Sequence, residues 1–321
     1  RPATEPPRAA LHDPVRPTLR RMSAPSPSVP QPAEPERAPA AALMAATRRP
    51  RLIATDLDGT VIGYQHTRTG RISPRTVAAL TRAHDEGVTV VFVTGRPLRW
   101  LAPLRDQLGE VGPVICSNGA VVVDPATGDV LGSHELDRAV VDDVVAELSR
   151  AVPGVSFGAE ALEGFFWEQA FGEKSLFGDE PGAHRTLQEA LPEHARVVKL
   201  MARSRDLGEQ ELVDRVRDLV GAAVTVTHSA PGMALVEMAA PGVHKAATLE
   251  EFAGQQGVGA HEVVAFGDMP NDLEMLDWAG LGLAVASGHE SLRAAADGVV
   301  GACDKDGVAE AIEHLLRLPA P

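Results

Sequence analysis

Cysteine is nearly missing: only Cys116 and Cys303 occur, far apart in the chain. A disulfide-stapled secreted scaffold needs several such pairs, so that class is excluded and a reducing cytoplasm is the expected setting. Long apolar runs are missing too. No stretch approaches the roughly 18–20 residues a membrane-spanning helix requires. Basic side chains are outnumbered, 30 Lys and Arg against 44 Asp and Glu, for a formal net charge of −14. So acidic a surface repels nucleic-acid phosphates, and neither a nucleic-acid nor a membrane partner is expected. No Gly-x-x-x-x-Gly-Lys-Ser/Thr loop is present, which argues against a P-loop nucleotide hydrolase.

What is present is unevenly spread. Residues 1–50 hold 12 of the 25 prolines, with eight Arg and four acids, and show no apolar periodicity. Such a segment cannot bury enough apolar surface to offset its ordering entropy, so residues 1–50 are expected to form a disordered extension. It has no apolar stretch like that of a secretory signal, and Glu5, Asp13, Glu34 and Glu36 fit an acid-poor transit peptide badly. Met22 stands as a candidate start within it.

From Arg51 the texture is that of an α/β protein. Arg51–Thr55 is a short apolar run ending in Asp56-Leu57-Asp58-Gly59-Thr60. Ser73–Glu86 begins with a Ser N-cap and a Pro at the first helical position. Val88–Val93 is a β-branched run closing on Thr94-Gly95-Arg96, and Val114–Cys116 leads into Ser117-Asn118-Gly119. Near-continuous apolar strands alternating with helices predict a Rossmann-like parallel sheet. The same texture returns after residue 236: a helix over Lys245–Gln256, a strand Glu262–Phe266 ending at Gly267-Asp268, then helices at Asn271–Ala279 and near Val308–Leu316. The middle block, 134–236, has helices near Arg138–Arg150 and Leu207–Val220 among short β-like runs and reads as an inserted α/β cap. Core residues are then expected at 51–133 and 237–321.

Four clusters lie at strand ends or helix starts, the edge of an open α/β sheet where ligands bind. Asp56-x-Asp58 puts two carboxylates where one can serve as nucleophile and metal ligand, the other as general acid and base. A calcium loop is excluded, because Val61 and Thr67 occupy the positions that need Gly and Glu. Thr94-Gly95 offers a hydroxyl and a backbone N–H to an anion. Lys245, opening a helix, is a candidate for holding the nucleophile and neutralising phosphoryl oxygens. Gly267-Asp268-Met269-Pro270-Asn271-Asp272 supplies oxygen ligands for a hard cation such as Mg²⁺, with Asp268 opposite Asp56 and Asp272 in support.

In this order, DxDGT, TGR, Lys and GDxxND, the chain resembles the haloacid dehalogenase (HAD) superfamily over nearly all of residues 51–321. Ser117-Asn118-Gly119-Ala120, the stretch Val236–Leu249, GDMPNDLEML and Asp306-Gly307-Val308-Ala309 resemble its Cof-type, or IIB, branch. Ala286-Ser287-Gly288-His289-Glu290 departs from that branch at a loop near the site rim and leaves substrate preference open.

The resemblance implies a Mg²⁺-dependent phosphatase, with a small phosphorylated metabolite, such as a sugar phosphate, as substrate. Asp56 would form an aspartyl-phosphate, and Asp58 would protonate the leaving oxygen and then activate water. Thr94 and Lys245 would hold the phosphoryl group, with Gly95, Asn118 and Asn271 beside it. Asp56, the Asp58 carbonyl, Asp268 and Asp272 would serve the metal. Phe165, Phe166, Trp167 and Lys199 are specificity candidates in the cap, with core packing the alternative for the aromatics and a solvent-facing position the alternative for Lys199. A phosphotransferase or phosphomutase on the same core, and a non-catalytic binding relative, are the rival functions. A monomer or homodimer is expected.

Overall fold

In the computed structural model the chain is described over residues 41–108, 111–172, 184–228 and 232–320. A short helix, α1 (Ala41–Ala45), precedes β1 (Leu52–Thr55), α2 (Pro74–Asp85), β2 (Thr89–Val93), α3 (Ala102–Leu108) and β3 (Val114–Cys116). Two more strands follow, β4 (Val121–Val123) and β5 (Val130–Ser133). The middle of the chain forms α4 (Arg138–Ala151), β6 (Val155–Ala161), β7 (Gly164–Trp167), α5 (Leu187–Ala190), β8 (Val197–Ser204), α6 (Glu209–Val220), β9 (Thr225–Thr227) and β10 (Leu235–Ala239). It returns through α7 (Lys245–Gln255), β11 (Val263–Gly267), α8 (Leu273–Trp278), β12 (Leu281–Val285), α9 (Glu290–Ala295), β13 (Gly298–Val300) and α10 (Gly307–Leu315).

Among the described residues the first sheet runs β13-β12-β11-β1-β2-β3-β4-β5. It is parallel from β13 to β3 and antiparallel beyond. Its inner strands β1, β2, β3, β11 and β12 are apolar at nearly every position because both faces are covered. Ile53, Val90, Phe92, Val264 and Phe266 pack against α2, α3 and α10 through Leu80, Leu104, Leu108, Val308 and Ile312. Leu52, Ala54, Val91, Val93 and Ala265 face α7, α8 and α9 through Leu249, Ala253, Met275, Leu276 and Leu292. As the sequence predicts, Ser73 caps α2, its hydroxyl accepting from Thr76 N–H at 3.1 Å ahead of Pro74.

The second sheet, inserted between β5 and α7, is antiparallel in the order β7-β6-β8-β10-β9. One face, with Phe157, Ala159, Leu200, Ala202, Val236 and Met238, buries itself against α4 and α6. Period-two alternation then puts Glu160, Lys199 and Glu237 on the opposite face.

Two expected boundaries move. Residues 41–50 do not belong to an unstructured extension: Leu43 is buried in the main core, and Arg49 binds Glu86 and the carbonyl of Leu316. Composition hid this, since one leucine and one arginine tie the segment down. Residues 1–40 lie outside the described residues. The insertion runs on to Ala239 rather than 236, because β10 pairs along its length with β8 and β9.

Candidate active site

The carboxyl ends of β1, β2, β3 and β11 converge, and each contributes one of the clusters singled out in the sequence. The loop after β1 folds over a buried carbonyl: Leu57 O accepts from Thr60, Val61 and Ile62 N–H at 3.3, 3.0 and 2.8 Å. Gly59 is required here. Its φ is +86°, and a Cβ there would lie 2.0 Å from Asp268 Oδ2. Only a residue without a side chain lets the two acidic loops approach so closely.

Asp56 and Lys245, 189 residues apart in the chain, meet at 2.7 Å in a dry setting. Lys245 opens α7, whose N-cap is His244, accepting from Ala247 N–H; the histidine is structural. The Lys245 ammonium also donates to Asp272 Oδ1 at 2.6 Å. The other Asp272 oxygen accepts from the N–H groups of Asp268 and Met269, both at 3.0 Å. A Cβ at Gly267 would sit 2.6 Å from Asp272 Cβ, which explains why glycine precedes Asp268. Asp272 thus orients both the lysine and the Asp268 loop.

Asp268 accepts from Thr60 Oγ1 at 3.4 Å and from the Tyr64 hydroxyl. One ligand oxygen each from Asp56, Asp268 and Asp272 lie within 4.8 Å of one another, all three residues buried. Burial lifts the Asp56 carboxyl well above its usual range; Lys245 pulls it back, while Asp272 and Asp268 push it further. Burial, then the Asp272 charge, pushes Asp268 up to about 7. Burial alone would depress Lys245, yet the charges of Asp272 and Asp56 win and hold it above the ordinary lysine value. Three carboxylates against one ammonium leave the cluster short of positive charge. Hard oxygen donors at that spacing suit a divalent cation such as Mg²⁺, so the residues present fit one.

Asp58 stands apart from this cluster. Arg96 grips it with a two-pronged pair at 2.5 and 2.6 Å and anchors itself on the Thr67 carbonyl at 2.8 Å. Thr94 Oγ1 accepts from Arg96 N–H at 3.1 Å, closing the turn after β2. Asn118 sits at φ +58° beside Ser117 at +53°. Its amide donates to Glu237 Oε2 at 3.0 Å, and its oxygen accepts from Asn271 Nδ2 at 3.2 Å. Lys199 donates to Glu237 Oε1 at 2.7 Å and to the Gly95 carbonyl at 3.2 Å.

All the sequence-nominated polar residues therefore reach these loops, directly or through one partner. Of the aromatics, Phe165 reaches the loop after β2 through Arg99, whose guanidinium lies 4.7 Å from its ring centre, while Phe166 and Trp167 turn into the cap. Trp167 stacks on Phe165 at 4.9 Å and packs with Phe171, Met201 and Leu235, while Phe166 joins the second core. Sequence reasoning missed Arg96, Tyr64, Glu160 and Glu237. Arg96 was readable from its place beside Thr94 and Gly95, and Glu237 from its charge inside an apolar strand. Tyr64 carried no pattern. At the rim, His289 caps α9 and donates its backbone N–H to Asp268 O at 2.6 Å, so the departing loop is pinned to the site.

The sequence profile of the haloacid dehalogenase-like hydrolases matches residues 53–312. The chain belongs to that family. A 5-amino-6-(5-phospho-D-ribitylamino)uracil phosphatase of Bacillus subtilis, YitU, is 28% identical over 282 residues, covering 84% of this chain and 99% of the relative. An HMP-PP phosphatase of Serratia proteamaculans is 29% identical over 277 residues, covering 84% and 96%. Among solved structures, the HAD-superfamily phosphatase BT1666 of Bacteroides thetaiotaomicron matches with a TM-score of 0.71 at 24% identity, over 83% of this chain and 95% of that one. The HAD subclass IIB sugar phosphatase BT4131 gives 0.67 at 24%, over 82% and 98%. The parallel sheet with its inserted cap is the HAD fold, and the chain is a HAD-family phosphatase of the Cof type.

Proposed function

We propose that the protein is a Mg²⁺-dependent phosphatase that hydrolyses a small phosphorylated metabolite through an aspartyl-phosphate on Asp56. The observation that carries this is the buried Asp56–Lys245 pair inside the three-carboxylate cluster, with a second carboxylate, Asp58, held two residues away on a separate support.

An Asp56 oxygen forms a bond to phosphorus as the bond to the substrate's leaving oxygen breaks. Asp58 gives that oxygen its proton, then takes one from the water that splits the aspartyl-phosphate and frees inorganic phosphate. To do so it exchanges the Arg96 fork for the leaving group, so Arg96 parks the acid between turnovers. Lys245 neutralises phosphoryl oxygens while holding Asp56 in line. Thr94, Gly95 and Asn271 line the phosphate side, with Asn118 supporting Asn271. Asp56, Asp268 and the Asp58 carbonyl would hold Mg²⁺, with Asp272 in support, and the ion would offset charge on the transferring group. Relatives named for phosphorylated small molecules, including a phosphoglycolate phosphatase and a pyridoxal phosphate phosphatase, support the substrate class.

The test is phosphate release, with Mg²⁺, across a panel of phosphorylated sugars, nucleotides and cofactors. Asp56→Asn is nearly isosteric and should fold, yet an amide is a poor nucleophile, so turnover should drop at least about a thousandfold. Wild-type rates in the purified variant would remove Asp56 from the mechanism. Transfer to a second hydroxyl without phosphate release would make the protein a phosphotransferase.

A further inference from the structure

The inner face of the cap sheet carries a row of ionised side chains. Glu160 on β6 lies in register with Lys199 on β8, and Lys199 reaches Glu237 on β10. Their exposures are 5%, 2% and 7%. Burying such charges costs several kcal/mol each before pairing, and well-packed apolar residues often serve stability as well or better. The row therefore calls for another explanation.

Each member extends into the catalytic core. Glu160 pairs with Arg99 at 2.5 Å, and that guanidinium also lies 4.7 Å from the Phe165 ring centre. Lys199 holds the carbonyl of Gly95. Glu237 holds Asn118, which accepts from Asn271. Three loops, those following β2, β3 and β11, are thus gathered by one strip of the cap. The loop after β3 needs such support. Ser117 and Asn118 both have positive φ, a costly conformation for side-chain-bearing residues that persists only where neighbours over-determine it. Gly95 fits against Asn118 with so little room that a Cβ there would stand 3.0 Å from Asn118 Oδ1.

We infer that Lys199 and Glu237 are positioning residues: the closed cap sets the phosphate-side loops through the Gly95 carbonyl and the Asn118 amide, without touching the substrate. This rests on the phosphatase reading above. It makes the cap part of the catalytic geometry for every substrate, including one too small for the cap to grip.

Lys199→Met alone would strand the Glu237 carboxylate in a dry setting, so the informative variant pairs Lys199→Met with Glu237→Gln. The pair is neutral, and the glutamine can still hold Asn118. For this variant kcat/KM should fall about tenfold or more, by the same factor for p-nitrophenyl phosphate and for the best metabolite of the panel. Competitive inhibition by inorganic phosphate should weaken in parallel, while Mg²⁺ affinity, measured by calorimetry, should stay at the wild-type value. Lys199→Arg, which keeps the charge beside Glu237, should recover part of the loss; if the paired variant does not fold, a smaller loss in Lys199→Arg, equal on both substrates, carries the test.

A fall confined to the metabolite would overturn the inference and make Lys199 a leaving-group contact. Unchanged kinetics would overturn it too, and so would a loss of Mg²⁺ affinity alongside the rest, which would mark a general structural role. Absence of phosphatase activity in the wild type would sink the functional reading instead. The phosphate and Mg²⁺ affinities of the variant would then still decide whether the cap sets the loops.

Discussion

Asp268 is held by Thr60 and Tyr64 hydroxyls while its carboxyl is pushed up to about 7, chiefly by burial and then by Asp272. Its unfolded value is 3.8, so the folded, metal-free protein retains a proton that the unfolded chain gives up across the window from 3.8 to about 7. The stability this proton contributes is complete below that window and is lost as pH rises through it. A divalent cation held by Asp268, as proposed, would take the proton's place. The rise in melting temperature on adding Mg²⁺ should therefore be larger at about pH 8 than at about pH 6. Scanning calorimetry at both values checks this, and an equal rise would exclude Asp268 as a ligand.

At the scale of single elements, α1 and the residues after it form a clamp on the core. Leu43 is 2% exposed, and Arg49 N–H donates to the Pro319 carbonyl at 2.9 Å. Leu43→Ala should cost about 2–4 kcal/mol of stability, as other buried leucine truncations do. Removing residues 1–49 should lower the melting temperature below that of a chain lacking only 1–40. Residues 41–49 are held at Glu86, Leu316 and Pro319, away from the strand-end loops, so kcat/KM below the melting transition should stay within about twofold, a change worth about 0.4 kcal/mol. A large kinetic loss on removing 1–49 would show that the clamp also shapes the site.

Over the whole molecule, a strongly acidic chain gathers most of the buried charge among its described residues at one seam between sheet edge and cap, with Glu168 the exception inside the cap. The carboxylate cluster on the core side is balanced by Lys245 alone among the ion pairs described for it. Chelation with EDTA should abolish phosphate release and added Mg²⁺ should restore it, because every donor there is a hard oxygen. Full turnover after exhaustive chelation would refute the metal reading. Cys116 and Cys303 are both unpaired, and no helix among the described residues is long and apolar enough to cross a membrane.

The parallel strands β1, β2, β3 and β11 and the four acidic or basic clusters were legible in the sequence. Each depends on short-range pattern: β-branched runs buried on both faces, a Ser-Pro helix start, acids placed directly after strands. Asp56, Lys245 and Asp268 could be named because their neighbours in the chain mark them. What pairs with what was not legible. The Arg96 fork on Asp58, the Tyr64 hydroxyl on Asp268 and the row Glu160–Lys199–Glu237 arise from strands and loops brought together across tens to hundreds of residues. Lys199 is the sharpest case. Its sequence context fitted a substrate contact and a solvent-facing lysine equally, and only the β8–β10 register, with Gly95 opposite, gave its ammonium a buried carboxylate and a loop carbonyl as partners. Local pattern determines which residues can do the chemistry; the pairing of distant elements, where solvent is excluded and each buried charge must find a partner, decided how they are held.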